Sequence, residues 1–429
     1  MNKHTALRAT VIAAALVAST AWATDGYFPH GYGIKAKGMG GVSIAMTDQA
    51  FAGANNPATA SFSGNRAEAG VELFMPKRGV SRSADAGPMA GSVDSDSKNF
   101  LVPEFGYTAP INDKVAVGLA VYGNGGMNTD YTANNIRCFD NPQAPDPANT
   151  HPANMLCGSG RLGMDMMQLI VAPTVSYKVD ERHAVGVSPL LVYQRFKATG
   201  LDLFASMSSA QTNVTDKGYD SSTGVGVRLG YVGKPNDVLT FGASWSPKTK
   251  MKKFDKYSGL FAGAGGFDIP ENYGVGLAIQ VTPKILVAAD YQRINYSKIP
   301  SVANPSNNTQ LTGNLLGSAA GSGFGWTDVN VIKIGVQWQA TSQWTLRAGY
   351  NKTDNPVQSR DLTFNIIAPG VITKHYTLGG TYALGNDKEL TFAYMHAPRN
   401  SVTGMGMFMA PETIRMSQQS LGIQYGWKF

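Results

Sequence analysis

Six histidines are the side chains of this sequence most suited to acid–base work: His4, His30, His151, His183, His375 and His396. A serine hydrolase would present its nucleophile on a sharp turn, yet the chain has no Gly-x-Ser-x-Gly and the six form no recognisable constellation with a serine. The only two cysteines, Cys138 and Cys157, share one segment rich in Asn, Pro and Gly. A metal pair would want a Cys-x-x-Cys or nearby histidines, and both are missing; in an exported chain a disulfide is the expected state. The run PKTKMKKFDK gathers Lys248, Lys250, Lys252, Lys253 and Lys256, a cationic cluster suited to phosphate or carboxylate. No nucleotide motif or metal array is present, and no cofactor is expected.

The elements that hold these residues follow from the N-terminus onward. Lys3 and Arg8 accompany the apolar run VIAAALVA, which closes on Ala21-Trp22-Ala23, a secretory signal peptide over residues 1–23. No later stretch approaches the roughly 18 uncharged apolar residues of a membrane-spanning helix. Without Lys3 and Arg8 the 36 basic residues become 34 against 29 acids, a mature charge of +5 that argues for no nucleic-acid partner. With 49 glycines, 18 tyrosines, 18 phenylalanines and only 15% charged residues, against about a quarter in soluble chains, this protein faces something other than water.

Period-two alternation supplies the rest. Leu421, Ile423, Tyr425, Trp427 and Phe429 alternate with Ser420, Gly422, Gln424, Gly426 and Lys428, a strand with one apolar face that runs to the last residue. Tyr273 to Gln280 and Ile285 to Gln292 repeat the pattern. The opposite faces, such as Gly224, Gly226, Arg228 and Gly230, or Lys333, Gly335 and Gln337, would not fill a sandwich core and suit a wet or plugged lumen. Tyr231, Trp245, Tyr350 and Trp427 fall at strand ends, as in the aromatic girdles of membrane barrels.

Short turns at Pro110, Val179, Lys234, Val281, Ala340 and Gly385 alternate with long loops at about 79–97, 125–164, 199–219, 255–268, 299–325, 355–372 and 401–414. Six turns and seven loops predict an all-β, antiparallel transmembrane barrel of about 14 strands, spanning 65–429 in the bacterial outer membrane. Residues 24–64 carry no strand pattern. They either hang at the turn end or fold into the lumen.

The stretch GYGIKAKGMGGVSIAMTDQAFAGANNPA resembles the FadL-type long-chain fatty acid transporters, an outer-membrane family that also includes channels for aromatic hydrocarbons. The resemblance implies that 24–64 is a hatch plugging the lumen, with Asn56, Pro57 and Ala58 as its Asn-Pro-Ala motif. Physically, Pro57 blocks helix continuation and Asn56 can bond to the freed backbone. The resemblance also implies a kinked third strand. Counting puts that strand at about Lys114 to Asn124, where Gly123, Asn124, Gly125 and Gly126 would serve as the kink or as an ordinary strand end. Loops three and four, which shape an outer groove in the family, offer Leu203, Phe204, Met207, Leu260, Phe261 and Phe267 as ligand contacts or as loop packing.

The expected function is passive uptake of hydrophobic molecules by a monomer, fatty acids first, with aromatic hydrocarbons as the alternative. A general porin or an outer-membrane lipid hydrolase are the rivals from other classes. For Lys250, Lys252 and Lys253 the partners are lipopolysaccharide phosphates or a substrate carboxylate. Lipopolysaccharide is the commoner partner for such a cluster, while the even-numbered Lys250 and Lys252 share the parity of lumen-facing Thr240, Gly242 and Ser244, which keeps the carboxylate open.

Overall fold

The computed structural model describes residues 24–141, 144–385 and 387–429; the expected signal peptide lies outside them. The chain order is β1 (Arg66–Arg82), β2 (Gly91–Asp94), β3 (Phe100–Pro110), β4 (Val115–Tyr131), β5 (Ile136–Phe139), β6 (Thr150–Ala153), β7 (Leu162–Lys178) and β8 (His183–Thr199). It continues as β9 (Asp220–Gly233), β10 (Leu239–Ser246), β11 (Asn272–Thr282), β12 (Ile285–Ile294), β13 (Val329–Gln339), β14 (Trp344–Thr353), β15 (Lys374–Ala383), β16 (Lys388–Met405) and β17 (Pro411–Lys428).

Each barrel strand pairs antiparallel with its neighbours in sequence, and β17 returns to pair with β1 from Arg66↔Lys428 to Arg82↔Glu412. Leaving aside β2, which flanks β1, and the separate β5–β6 hairpin, this is a closed barrel of 14 strands. Closure leaves no free sheet edge at the seam, the condition for β-structure in hydrocarbon. The alternation sorts as expected: Leu421 and Ile423 face outward, while Gln418, Ser420 and Gln424 are buried inward. No helix among the described residues is long and apolar enough to cross a membrane.

Several strand boundaries differ from expectation, two of them by extension of a strand. β4 does not end at its glycines but continues to Tyr131. The last loop shrinks from 401–414 to 406–410, because β16 and β17 stay paired as far as Met405↔Pro411. Thr403 and Thr413 share a hydroxyl hydrogen bond of 2.7 Å across that extension, a polar cross-strand pair that suits strands standing clear of the bilayer.

The disulfide Cys138–Cys157 ties β5 to the segment after β6, with Cα atoms 5.7 Å apart. Its sequence separation of 19 corresponds to about 3 kcal/mol on the chain-entropy model. Replacing both cysteines with serine is expected to make residues 132–161 protease-sensitive while the barrel keeps its heat-dependent gel mobility. Equal protease resistance would show that packing alone holds the loop.

Candidate functional site

Residues 24–64 are nearly all buried, although few are strongly apolar. Space is made for them by inward glycines on many strands. A Cβ on Gly186 of β8 would strike Pro57, on Gly230 of β9 the Asn56 side chain, and on Gly349 of β14 the backbone of Met39 and Gly40. A Cβ on Gly242 of β10 would meet Ile44, and one on Gly335 of β13 would meet Met39. The glycine-rich inward faces thus let backbone approach backbone.

Polar groups on the same inward faces satisfy the segment's amides. Asp290 accepts from the N–H groups of Ser43 (2.7 Å) and Ile44 (3.1 Å). Gln424 accepts from Ile34 N–H (3.1 Å), Thr377 from Gly40 N–H (2.7 Å) and Glu68 from Ala50 N–H (2.9 Å). Such side-chain partners replace the sheet or helix bonds that this irregular backbone lacks.

Asn56 is fully buried and joins three pieces of backbone. Its Nδ2 donates to Ile44 O (2.8 Å) within the segment and to Tyr231 O (2.9 Å) on β9, while Oδ1 accepts from Ala58 N–H (3.1 Å). Pro57 opens the 3-10 turn Pro57–Thr59 that Asn56 caps, a position where its missing N–H costs nothing.

The same segment takes part in a buried ionic network. Lys35 pairs with Glu68 (2.8 Å) and Glu389, and Lys37 pairs with Glu72 (2.7 Å) and Glu104 (2.9 Å). Burial would lower the Lys37 pKa, but Glu104 and Glu72 outweigh it and hold the ammonium above its ordinary range. Burial would raise Asp48, yet Lys35, Arg347 and Arg66 hold it below the usual carboxylate range. Sequence reading missed these pairs. The available signal was the recurrence of Glu68 and Glu72 on the inward parity of β1, in a chain with few charges. His30 is stacked on His375 with ring centroids 5.7 Å apart. Burial, helped by Lys37 and Lys333, pushes His30 down to about 3 and keeps it neutral.

The glycines of β4 lie inside the strand, not at its end. The β4–β7 register slips between Gly123 and Gly125, and the bulge turns inward onto the N-terminal segment. Gly126 N–H donates to Tyr27 O (3.2 Å), Tyr32 OH to Asn124 Oδ1 (2.9 Å) and Asn124 Nδ2 to Gln168 Oε1 (2.9 Å). On its other side β4 is paired with β3 only from Pro110↔Ala116 to Phe105↔Val121. From Tyr122 upward that ladder is interrupted, until Asp96 N–H bonds to Asp130 O at 2.8 Å.

At the loop end a cavity of about 240 Å³ is lined by Phe204, Met207, Leu316, Phe364, Met405 and Met407, among others. Phe204 packs on Phe364, centroids 5.0 Å apart. Of the other groove candidates, Leu260 and Phe261 line a smaller space with Phe196 and Phe324, and Phe267 packs against Phe261 and Tyr27. Leu203 lines neither. The outer cavity also draws on residues 306–322 and 405–409, which were not foreseen, because loops distant in sequence converge there.

The lysine expectation needs correction. β10 ends at Ser246, Pro247 follows, and the alternation does not carry over: Thr249 and Met251 turn inward while Lys250, Lys252 and Lys253 are exposed. Met251 and Thr249 instead make isolated bridges to Gly224 and Ile269. Lys250→Gln with Lys252→Gln is therefore expected to leave oleate binding within about twofold of wild type, since charges exposed to solvent are screened by salt. A larger loss in a calorimetric titration would restore the carboxylate role.

Known proteins bear on this geometry in three ways. The family described as outer membrane protein transport protein (OMPP1/FadL/TodX) matches residues 14–140 and 148–419. The Pseudomonas putida toluene transporter TodX is similar in structure, with TM-score 0.67 and 19% identity over 93% of this chain and 99% of that one. A Pseudomonas aeruginosa FadL homologue has TM-score 0.68 and 14% identity, covering 94% and 99%. The Ralstonia pickettii toluene transporter TbuX has TM-score 0.62 and 18% identity, covering 93% and 99%. At these identities the likeness is one of fold. No curated protein matches the chain in sequence.

Proposed function

Because the chain belongs to the outer membrane protein transport family (OMPP1/FadL/TodX), we propose that it is a passive uptake channel for hydrophobic molecules whose residues 24–64 form the hatch. The observation that carries this reading is a barrel filled along its axis yet interrupted in its wall, where β3 and β4 part above Val121. Such a barrel is unsuited to be an open aqueous pore. Substrate enters the apolar outer cavity around Phe204 and Met207, moves inward when the hatch shifts, and leaves sideways beside the β4 bulge. Transfer needs no chemistry, since each CH₂ removed from water contributes about 0.8 kcal/mol. The channel works as a monomer, with Lys250, Lys252 and Lys253 facing lipopolysaccharide phosphates.

Long-chain fatty acids are the first substrate reading. Aromatic hydrocarbons are the second, favoured by the two similar structures described as toluene transporters. The test is a titration of the detergent-solubilised protein with oleate and toluene, paired with planar-bilayer recording. Saturable binding of either, without steady conductance, supports the channel; a large steady current with no binding would make it a porin. Within this reading, Phe204→Ala is expected to weaken capture about tenfold, in line with the roughly 1.5–3 kcal/mol of a buried aromatic or aliphatic side chain. Unchanged binding would remove the outer cavity from the path.

A further inference from the structure

The outward face of the barrel is apolar, and on one side it is also hollow. Leu101 of β3, Leu73 of β1, Leu421 of β17, Tyr394 of β16 and Leu378 of β15 stand directly opposite one another in a single row across the wall. In the next row toward the turn end, Val71, Ile423, Phe392 and Gly380 do the same. Gly380 brings no side chain to that row, and a groove of about 460 Å³ lies there.

Toward the loop end the same strands change character. The next outward row is Met75, Gln419 and His396, and beyond it Lys77 stands opposite Ser417. Beside Ser417, the β16 bulge between Ala397 and Asn400 carries Arg399. Lys77 and Arg399 are exposed, and neither makes an ion pair among the described residues. Arg415 follows on β17, with Asp94 at 2.7 Å. Three cations thus share one carboxylate, because the outward positions of β1, β16 and β17 in this stretch hold no acid. Lys77 lies four residues beyond Leu73, about 13 Å along the strand, close to half of the roughly 25 Å apolar band of an outer-membrane barrel.

A groove in hydrocarbon does not by itself choose an occupant, since every lipid offers it a chain and burying that chain displaces no water. The choice falls to the head group, and Lys and Arg at the polar rim select phosphate. Long loops mark the outside of such a barrel, so the cations meet the outer leaflet. We propose that this face binds the phosphorylated, multiply acylated glycolipid of that leaflet, lipopolysaccharide. Lys77, Arg399 and Arg415 take its phosphates, and one acyl chain lies in the groove beside Gly380. The site is independent of the uptake reading. It is also distinct from the Lys250 cluster, because β10 stands seven strands from β17 in the ring of 14, on the opposite side of the barrel.

The test titrates the full protein, purified in dodecyl maltoside, with bisphosphorylated lipid A and with phosphatidylethanolamine, read by native mass spectrometry. Wild type is expected to hold lipid A at least about tenfold more tightly, the scale of a charge-assisted hydrogen bond. Lys77→Gln with Arg399→Gln should weaken lipid A about tenfold and leave phosphatidylethanolamine within about threefold. Gly380→Leu should weaken lipid A about threefold or more by filling the groove; its Cβ would meet Trp344 at an ordinary 3.5 Å, so the wall tolerates it. Equal wild-type affinities for the two lipids overturn the proposal, as does unchanged lipid A binding in either variant. A larger loss from Lys250→Gln with Lys252→Gln and Lys253→Gln would put the lipid on the opposite side and overturn it too. Dimers that Gly380→Leu abolishes would make the face an interface between copies instead. If the double variant loses the heat-dependent gel mobility of a folded barrel, wild type and Gly380→Leu decide.

Discussion

Lys37→Ala will unlatch the N-terminal segment and turn a quiet barrel into a conducting one. The ammonium stands between Glu72 and Glu104, at 2.7 and 2.9 Å, on the inward faces of β1 and β3. Deleting it leaves two buried carboxylates with mutual repulsion in place of attraction. Breaking a buried pair from one side costs about 3–5 kcal/mol. The wall keeps its ladders, so the loss falls on the docking of the segment. The expected readout is steady single-channel current in planar bilayers, with unchanged heat-dependent gel mobility. Lys37→Ala combined with Glu72→Gln and Glu104→Gln should restore much of the closed state, because neutral amides need no counter-charge. A silent Lys37→Ala channel would show that glycine-lined packing, not charge, holds the segment.

Asn56→Ala acts on the other half of the same docking. The side chain supplies both ties that join Ile44 and Tyr231, and alanine leaves two buried carbonyls without that donor. Each such loss costs about 1–3 kcal/mol. Uptake should change severalfold, in either rate or saturation, while the barrel folds normally. Asn56→Asp separates causes: it keeps the acceptor for Ala58 N–H and loses the donor, so it should behave like alanine if the tie to β9 matters. Loss of the folded barrel in both variants would make the motif structural and end the gating proposal.

How far the sequence reached depended on the range of the interaction. Strand alternation and the turn–loop rhythm are local, and they were enough for fourteen strands and a closed barrel. Fine boundaries slipped where the chain leaves the membrane, because polar pairs such as Thr403 with Thr413 extend strands with no apolar face to announce them. Pro247 misled for a similar reason: parity carried past the end of a strand has no meaning. The pairing of Lys35 and Lys37 with Glu68, Glu72, Glu104 and Glu389 was illegible because it depends on how an irregular segment lies inside a ring of strands. The cavity around Phe204 was half visible, since apolar loop residues announce burial but not which distant loops meet them.

The inward glycines have a consequence for exchange between relatives. Gly186, Gly230, Gly242, Gly335 and Gly349 each sit where a Cβ would strike the N-terminal segment, so the wall is a cast of that particular backbone. Plug and barrel are therefore not modular parts. A relative with 14–19% identity that places even a few alanines at these positions could not accept residues 24–64 of this chain, nor lend its own, without transplanting the matching glycines as a set.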